Sequence, residues 1–269
     1  MTTGYVHGHS ALEHARLVDQ ARAIADLFHH DTCYPAGARV LEAGCGVGAQ
    51  TVELVRRSPA AEFVSIDISA ESLERARRRV GPDARVRFER ADVLTLPVPP
   101  GSFDHAFVCF LLEHVSEPAA MLAAIARAVR PGGTITIIEG DHGSCYFFPD
   151  SAAGRAALRC LVDVQAYLGG DALIGRRLHA LARAAGLGIA ATSLRTVYSD
   201  GRDPAVVEGF VQRTIIAMIE GVREQAIALG LTSAARFDEG IADLRTVAAT
   251  PDASFVYSFF KVVATREPR

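Results

Sequence analysis

Three acids and three glycines in this chain are spaced to hold a small cationic ligand against bare main chain. Val40-Leu41-Glu42-Ala43-Gly44-Cys45-Gly46-Val47-Gly48 reads as a short apolar strand that ends in an acid and breaks into a glycine-rich turn. A helical segment from Gln50 to Arg57 follows at once. Glycines at alternate positions remove the Cβ atoms that would keep a ligand off the backbone, and the helix start behind them presents N–H groups. Asp67 closes the next apolar run and Asp92 the one after it. Glu42 stands two residues before the first glycine, where a carboxylate attracts a positive centre and repels a pyrophosphate.

The same turn has a second reading. Gly44-x-Gly46-x-x-Ala49 fits the relaxed dinucleotide fingerprint, with Asp67 near the ~20-residue offset of a ribose-binding acid. An NAD(P)-dependent oxidoreductase is therefore the alternative. Three acids around one turn favour a phosphate-free ligand with a positive centre, and S-adenosylmethionine is such a ligand.

A base candidate lies further along, in Glu139-Gly140-Asp141-His142-Gly143-Ser144. His142 follows an apolar run of strand type, and Asp141 or Glu139 is placed to orient its ring. A histidine beside an aspartate in a polar loop also serves as an ordinary hydrogen-bonded loop residue. Tyr146, Phe147, Phe148, Arg176 and Tyr257 are candidates for lining an acceptor pocket, although Phe147 and Phe148 equally suit the core of a cap. Tyr5, His7 and His9, on the N-terminal segment, are further pocket candidates. Cys45 and Cys109 read as small packing residues.

The elements that must position these groups follow from periodicity. Residues 11–29 carry apolar side chains at helical spacing. Strands are expected near 38–43, 62–67, 85–90, 104–110 and 133–139, and helices near 49–57, 70–80, 117–130 and 172–185. Apolar strand runs separated by helices imply a doubly wound, mostly parallel sheet covered on both faces. Pro131-Gly132-Gly133 reads as a break between helix and strand. Residues 204–248 read as two or three helices, and 189–198 and 254–264 as the last strands. We expect one domain over 1–269, with an N-terminal lid helix (1–35) and a ligand-binding core (36–140). Cap segments (141–187 and 199–250) and the last strands (188–198 and 254–264) complete it. The cap should cover the carboxyl ends of the strands, where ligands of open α/β sheets bind.

Six motifs in register give a resemblance. Glu42-Ala43-Gly44-Cys45-Gly46-Val47-Gly48, Asp67-Ile68-Ser69, Ala91-Asp92-Val93, Ser102-Phe103-Asp104, Leu112-Glu113-His114-Val115 and Arg130-Pro131-Gly132-Gly133 occur in this order. Residues 38–140 thereby resemble class I S-adenosylmethionine-dependent methyltransferases, and most closely the small-molecule subgroup related to ubiquinone and menaquinone biosynthesis. The resemblance implies a seven-stranded Rossmann-like sheet with an N-terminal helix and a late helical cap. It implies that Gly44 and Gly46 lie against the methionine part of the cofactor and that Glu42 helps to hold its ammonium. Asp67, with Ile68 beside it, would accept the ribose hydroxyls. Asp92 would bind the adenine amine and Val93 offer a backbone donor. Cys109, Phe110 and Leu111 would flank the sulfonium, and His114 would close that edge. Tyr5 would act as a lid residue. The product would be S-adenosylhomocysteine. The expected acceptor is a small aromatic metabolite of secondary metabolism, with carbon of an indole- or quinol-type ring preferred over oxygen or nitrogen.

Composition narrows the partners. The chain has 269 residues, a formal net charge of −3 and 49% hydrophobic residues. This balance gives no reason to expect nucleic acid, and Arg75-Ala76-Arg77-Arg78-Arg79 reads as a solvated helix face. The five cysteines are scattered, and none of the nine histidines forms a ligand pair, so no metal is expected. Residues 1–30 lack an apolar segment of signal type, and no run approaches the ~20 residues of a membrane span. A cytoplasmic location and no membrane partner are the expectations; homo-oligomerisation stays open.

Overall fold

The structure, a computed structural model, describes residues 24–200 and 202–268. Five parallel strands come first: β1 (Arg39–Ala43), β2 (Glu62–Asp67), β3 (Val86–Arg90), β4 (Phe103–Cys109) and β5 (Val129–Gly140). They stand in the order β3-β2-β1-β4-β5, so the winding reverses beside β1, at the glycine turn. β8 (Ser254–Thr265) runs antiparallel to β5, and β7 (Gly188–Ser199) antiparallel to β8. These seven strands match the expected sheet. An eighth, β6 (Tyr146–Phe148), is three residues long and pairs with the start of β8.

Alternation along each strand sends neighbours to opposite faces. Val40, Phe63 and Phe107 enter one apolar cluster; Leu41, Ile66 and Val108 enter the other. The first face is covered by a helix α1, whose described part is 24–29, and by α2 (Ala49–Arg57). The second is covered by α4 (Pro118–Ala128) and α6 (Leu178–Ala184). α3 (Ala70–Val80) lies between β2 and β3 in sequence and is capped by Ser69, whose Oγ accepts from the Ser72 amide at 3.2 Å.

The late helices share the first core. α5 (Ala152–Tyr167) and α10 (Ala234–Ala249) pack together, joined by α7 (Pro204–Val206), α8 (Ala217–Gly221) and α9 (Arg223–Ala228). Phe210, Ile215, Phe237 and Leu244 fall in the same cluster as Phe28 and Val40. Phe210 packs edge-on against Phe255, Tyr257 and Phe259 of β8.

Three local expectations change. Val207–Ile216 winds as a π-helix, with Thr214 Oγ1 donating to the Gly209 carbonyl at 2.9 Å across the wider turn. The expected helix at 172–185 starts as a 3₁₀ turn (Ile174–Arg177), in which Gly175 packs where a Cβ would lie 2.7 Å from the Gly140 carbonyl. Pro131-Gly132-Gly133 falls inside β5, whose pairing with β4 shifts register there instead of beginning afterwards.

Candidate functional site

The glycine turn is fixed by its own backbone. The amides of Gly44 and Cys45 both donate to the Ile66 carbonyl, at 2.9 and 3.0 Å. Gly48 starts α2 at φ +75°, where a Cβ would lie 3.0 Å from Ala76 Cα. Gly46 differs: its φ is +51°, yet no described atom lies within 4 Å of a Cβ built there. Among the described residues, the main chain at Gly46 therefore has no neighbour over it, beside the ends of β1 and β2.

Acids surround that space. Asp67 Oδ2 accepts from the Gly46 amide at 2.9 Å and Oδ1 from the Ser69 amide at 2.8 Å. Asp92 is exposed and caps a 3₁₀ turn (Val93–Thr95), with Oδ1 accepting from Leu94 at 2.9 Å. A carboxylate offers about four lone-pair sites, so both caps leave acceptor capacity for a diol or an amine. Ile68 and Leu94 expose 61% and 46% of their surface at these strand ends, an apolar shelf suited to a flat ring. Val93 turns its side chain into the core.

Glu42 is 2% exposed, and its Oε2 accepts from Thr51 Oγ1 at 2.8 Å and Ser65 Oγ at 2.6 Å. Burial, with the charge of Asp67 adding to it and the two hydroxyls opposing, lifts its carboxyl to about 7. It thus changes charge near neutral pH. A cation nearby would favour the ionised form.

After β4 the chain turns sharply. Phe110 adopts φ +55°, unusual for a bulky residue, and is held by the hydrogen bond its amide donates to the Ile138 carbonyl and by ring contacts with Phe28 and Phe259. The turn aims the amides of Leu111 and Leu112 at Glu139 Oε1, at 3.0 and 2.7 Å. Leu111 also packs on the glycine turn, its side chain 2.9 Å from where a Gly44 Cβ would stand. Glu139 is fully buried, and burial raises its carboxyl well above the usual range. Cys109 is buried, and burial raises its thiol, which suits packing.

The carboxylates of Asp141 and Glu139, the expected orienting groups of His142, are held by other partners. Glu139 holds the post-β4 turn, and Asp141 is gripped by Arg176 through two bonds of 2.7 Å. The carboxylate beside His142 is Glu113, at 3.8 Å from Nε2, while Nδ1 lies 2.9 Å from the Tyr257 hydroxyl. His142 is 4% exposed and Tyr257 1%. His114 lies on the other oxygen of Glu113, at 3.6 Å.

The structure separates the remaining pocket candidates. Tyr146 pairs opposite Val256, so it stands on the sheet face away from Tyr257 and is 67% exposed. Arg176 is engaged by Asp141, and Phe148 is exposed, whereas Phe147 packs into the first core. Tyr5, His7 and His9 lie outside the described residues. Glu113 and Gln165 carried no role in the sequence reading. Glu113 was visible within Leu112-Glu113-His114, but nothing local indicates that Gln165, 52 residues on, clamps it.

Among the described residues no group of three or more His, Cys, Asp or Glu could hold a metal ion. No helix among them is long and apolar enough to cross a membrane.

Comparison with known proteins agrees with this geometry. Residues 40–133 match the methyltransferase domain family. An uncharacterized 37.1 kDa protein in transposon TN4556 of Streptomyces fradiae is 33% identical over 215 residues, 79% of this chain and 61% of the relative. A demethylmenaquinone methyltransferase of Clavibacter sepedonicus is 38% identical over 104 residues, 39% of this chain and 42% of the relative. The chain thus spans less than two thirds of either relative's length. Among solved structures, the [4+2]-cyclase SpnF superposes with a TM-score of 0.56 at 21% identity, covering 93% of this chain and 82% of that one. The matched segment, 40–133, is the one that carries the glycine turn and the acids at the ends of β1, β2 and β3, so this part of the chain is similar to the methyltransferase domain family.

Proposed function

We propose that the chain methylates a small, largely apolar acceptor, with an electron-rich aromatic carbon of indole or quinol type as the preferred target and oxygen or nitrogen as the alternatives. The observation that carries this reading is the glycine turn: main chain that no described residue covers at Gly46, with Glu42, Asp67 and Asp92 around it. When bound, S-adenosylmethionine supplies an electrophilic methyl group on a sulfonium. The protein's share is then positioning and exclusion of water.

In this reading Gly44 and Gly46 let the methionine part lie against the backbone. Glu42, ionised above about pH 7, favours its ammonium through the field of the site. Asp67 takes the ribose diol, Asp92 the adenine amine, and Ile68 and Leu94 the faces of the purine. Phe110 and Leu111 wall the methyl group, and His142 takes a proton from acceptors that must lose one. The late helices over β8 supply an apolar cover, which suits a small acceptor better than a polymer.

The test is release of S-adenosylhomocysteine from S-adenosylmethionine across a panel of indoles, quinols, phenols and amines. Turnover is expected with at least one ring acceptor. For an acceptor of high pKa, His142→Ala should lower the rate by about 10²–10⁴. Full activity of His142→Ala across the pH range would remove the base assignment, and turnover with amines alone would remove the carbon preference.

A further inference from the structure

Beyond β3 on one side and β7 on the other, no described strand continues the sheet. The two ends are built differently. β3 is five residues long, and Arg87, Glu89 and Arg90 give it three charges. Short, charged edges keep a sheet from joining another chain. β7 lacks that protection. Its residues 191–199 pair without a break on β8 and contain neither proline nor glycine. They carry one charge, Arg195, which is buried and paired with Asp31. Thr192, Leu194, Thr196 and Tyr198 share the opposite face and are exposed, Leu194 at 59% and Tyr198 at 58%. We propose that the chain forms a two-fold dimer in which β7 pairs antiparallel with β7 of a second copy, centred on Thr196.

The pattern along β7 selects a second copy as the occupant. Backbone groups alternate in an antiparallel pair, so every second residue of β7 turns its N–H and C=O away from β8. A two-fold contact needs one patch that fits itself. Pairing centred on Thr196 sets Leu194 opposite the partner's Tyr198, and Tyr198 opposite the partner's Leu194. Aromatic and aliphatic side chains in opposed positions stabilise a strand pair. Centring on Arg195 would set Leu194 against a threonine, and centring on Val197 would do the same to Tyr198. Only the Thr196 axis matches both apolar residues.

The edge is long enough to hold such a contact. Residues 191–199 at ~3.3 Å each span about 30 Å, and with a sheet layer ~10 Å thick the pairing covers about 300 Å² per copy. Two elements flank β7 and extend the contact. α6 stands on one face, and the turn after α1, through Asp31 and Arg195, on the other. The total then approaches the ~1,000 Å² expected of a specific interface. The low end of that range belongs to reversible contacts, so the dimer should exchange with monomer.

The test is sedimentation velocity of the full chain, with circular dichroism to confirm the fold of each variant. The wild type is expected to dimerise reversibly in the micromolar range. Thr196 is exposed, with its hydroxyl 3.1 Å from that of Ser258, so a long charged side chain there should leave the monomer folded. Thr196→Lys sets two ammonium groups face to face and should weaken the dimer about tenfold or more. Thr196→Glu should do the same, and an equimolar mixture of the two variants should restore the dimer, because the position meets its own copy. Hydrogen exchange on the wild type needs no variant: alternate amides of 191–199 should lose protection on dilution to monomer. A wild type that stays monomeric through the micromolar range overturns the proposal. So does a dimer that Thr196→Lys leaves as tight, a mixture that fails to reassociate, or exchange that dilution leaves unchanged. None of these readouts involves S-adenosylmethionine, so they stand apart from the methyltransferase reading.

Discussion

Asp67→Ala should weaken binding of S-adenosylmethionine about 10- to 150-fold. The range corresponds to the ~1.5–3 kcal/mol that a hydrogen bond to a charged group contributes. Asp67 sits at the end of β2 with its carboxylate already positioned by the Gly46 and Ser69 amides, so little ordering is needed when a diol arrives. Its removal also frees the Gly46 amide, which pushes the effect toward the upper end. Asp67→Asn keeps one acceptor oxygen for that amide and should fall between the wild type and alanine. Calorimetry, with circular dichroism to confirm the fold, reads both variants. An affinity of Asp67→Ala within twofold of the wild type would mean that the ribose is held elsewhere.

Asp31→Ala should be among the most destabilising single substitutions in the chain, although the Asp31 side chain is 46% exposed. It is the shared counter-ion of two buried cations. Lys261, 2% exposed, reaches Asp31 at 2.6 Å, and Arg195, 7% exposed, donates to its other oxygen. Lys261 also donates to the Phe28 carbonyl and to Thr32, tying the end of α1 to the middle of β8. Breaking a buried ion pair from one side leaves an uncompensated charge and costs ~3–5 kcal/mol. Water can reach the exposed side, so we expect about 3 kcal/mol, or a fall in Tm of about 6–12 °C. Lys261→Met removes the cation and leaves Asp31 solvated and still paired with Arg195, so it should cost less. Burial tends to raise the Asp31 carboxyl, but Lys261 and Arg195 together pull it down to about 2. An acid depressed in this way stabilises the fold above its unfolded value, and that contribution fades as pH drops from about 4 toward 2. The gap between wild type and Asp31→Ala should shrink in that window. A larger loss for Lys261→Met would contradict the shared counter-ion.

Local signals made the sheet and the shape of the glycine turn legible in the sequence. Consecutive apolar residues such as Val40 and Leu41 imply a sheet buried on both faces, and they do enter opposite cores. Gly44, Gly46 and Gly48 each take positive φ, as a turn of that composition requires. The acids at strand ends are positions in a pattern, and the pattern is local. The acceptor side was less legible because its partners are remote in sequence. Asp141 lies next to His142 in the chain, yet Arg176, 35 residues on, claims it. Tyr257 meets His142 across 115 residues through the pairing of β8. Tyr146 faces away because a three-residue strand fixes its register on β8, and a shift of one residue would have turned it inward. The π-helical winding of Val207–Ile216 likewise reflects tertiary packing around Phe210, which propensity does not encode.

The central claim is that the glycine turn and its acids seat a positively charged, phosphate-free adenosine. Calorimetric titration of the purified chain with S-adenosylmethionine, at pH 6 and at pH 8, tests it most directly. Saturable binding is predicted, tighter at pH 8, because the buried Glu42 carboxyl ionises near 7 and its charge then favours the cation. Absence of saturation with S-adenosylmethionine, with saturation by a pyridine dinucleotide under the same conditions, would contradict the account.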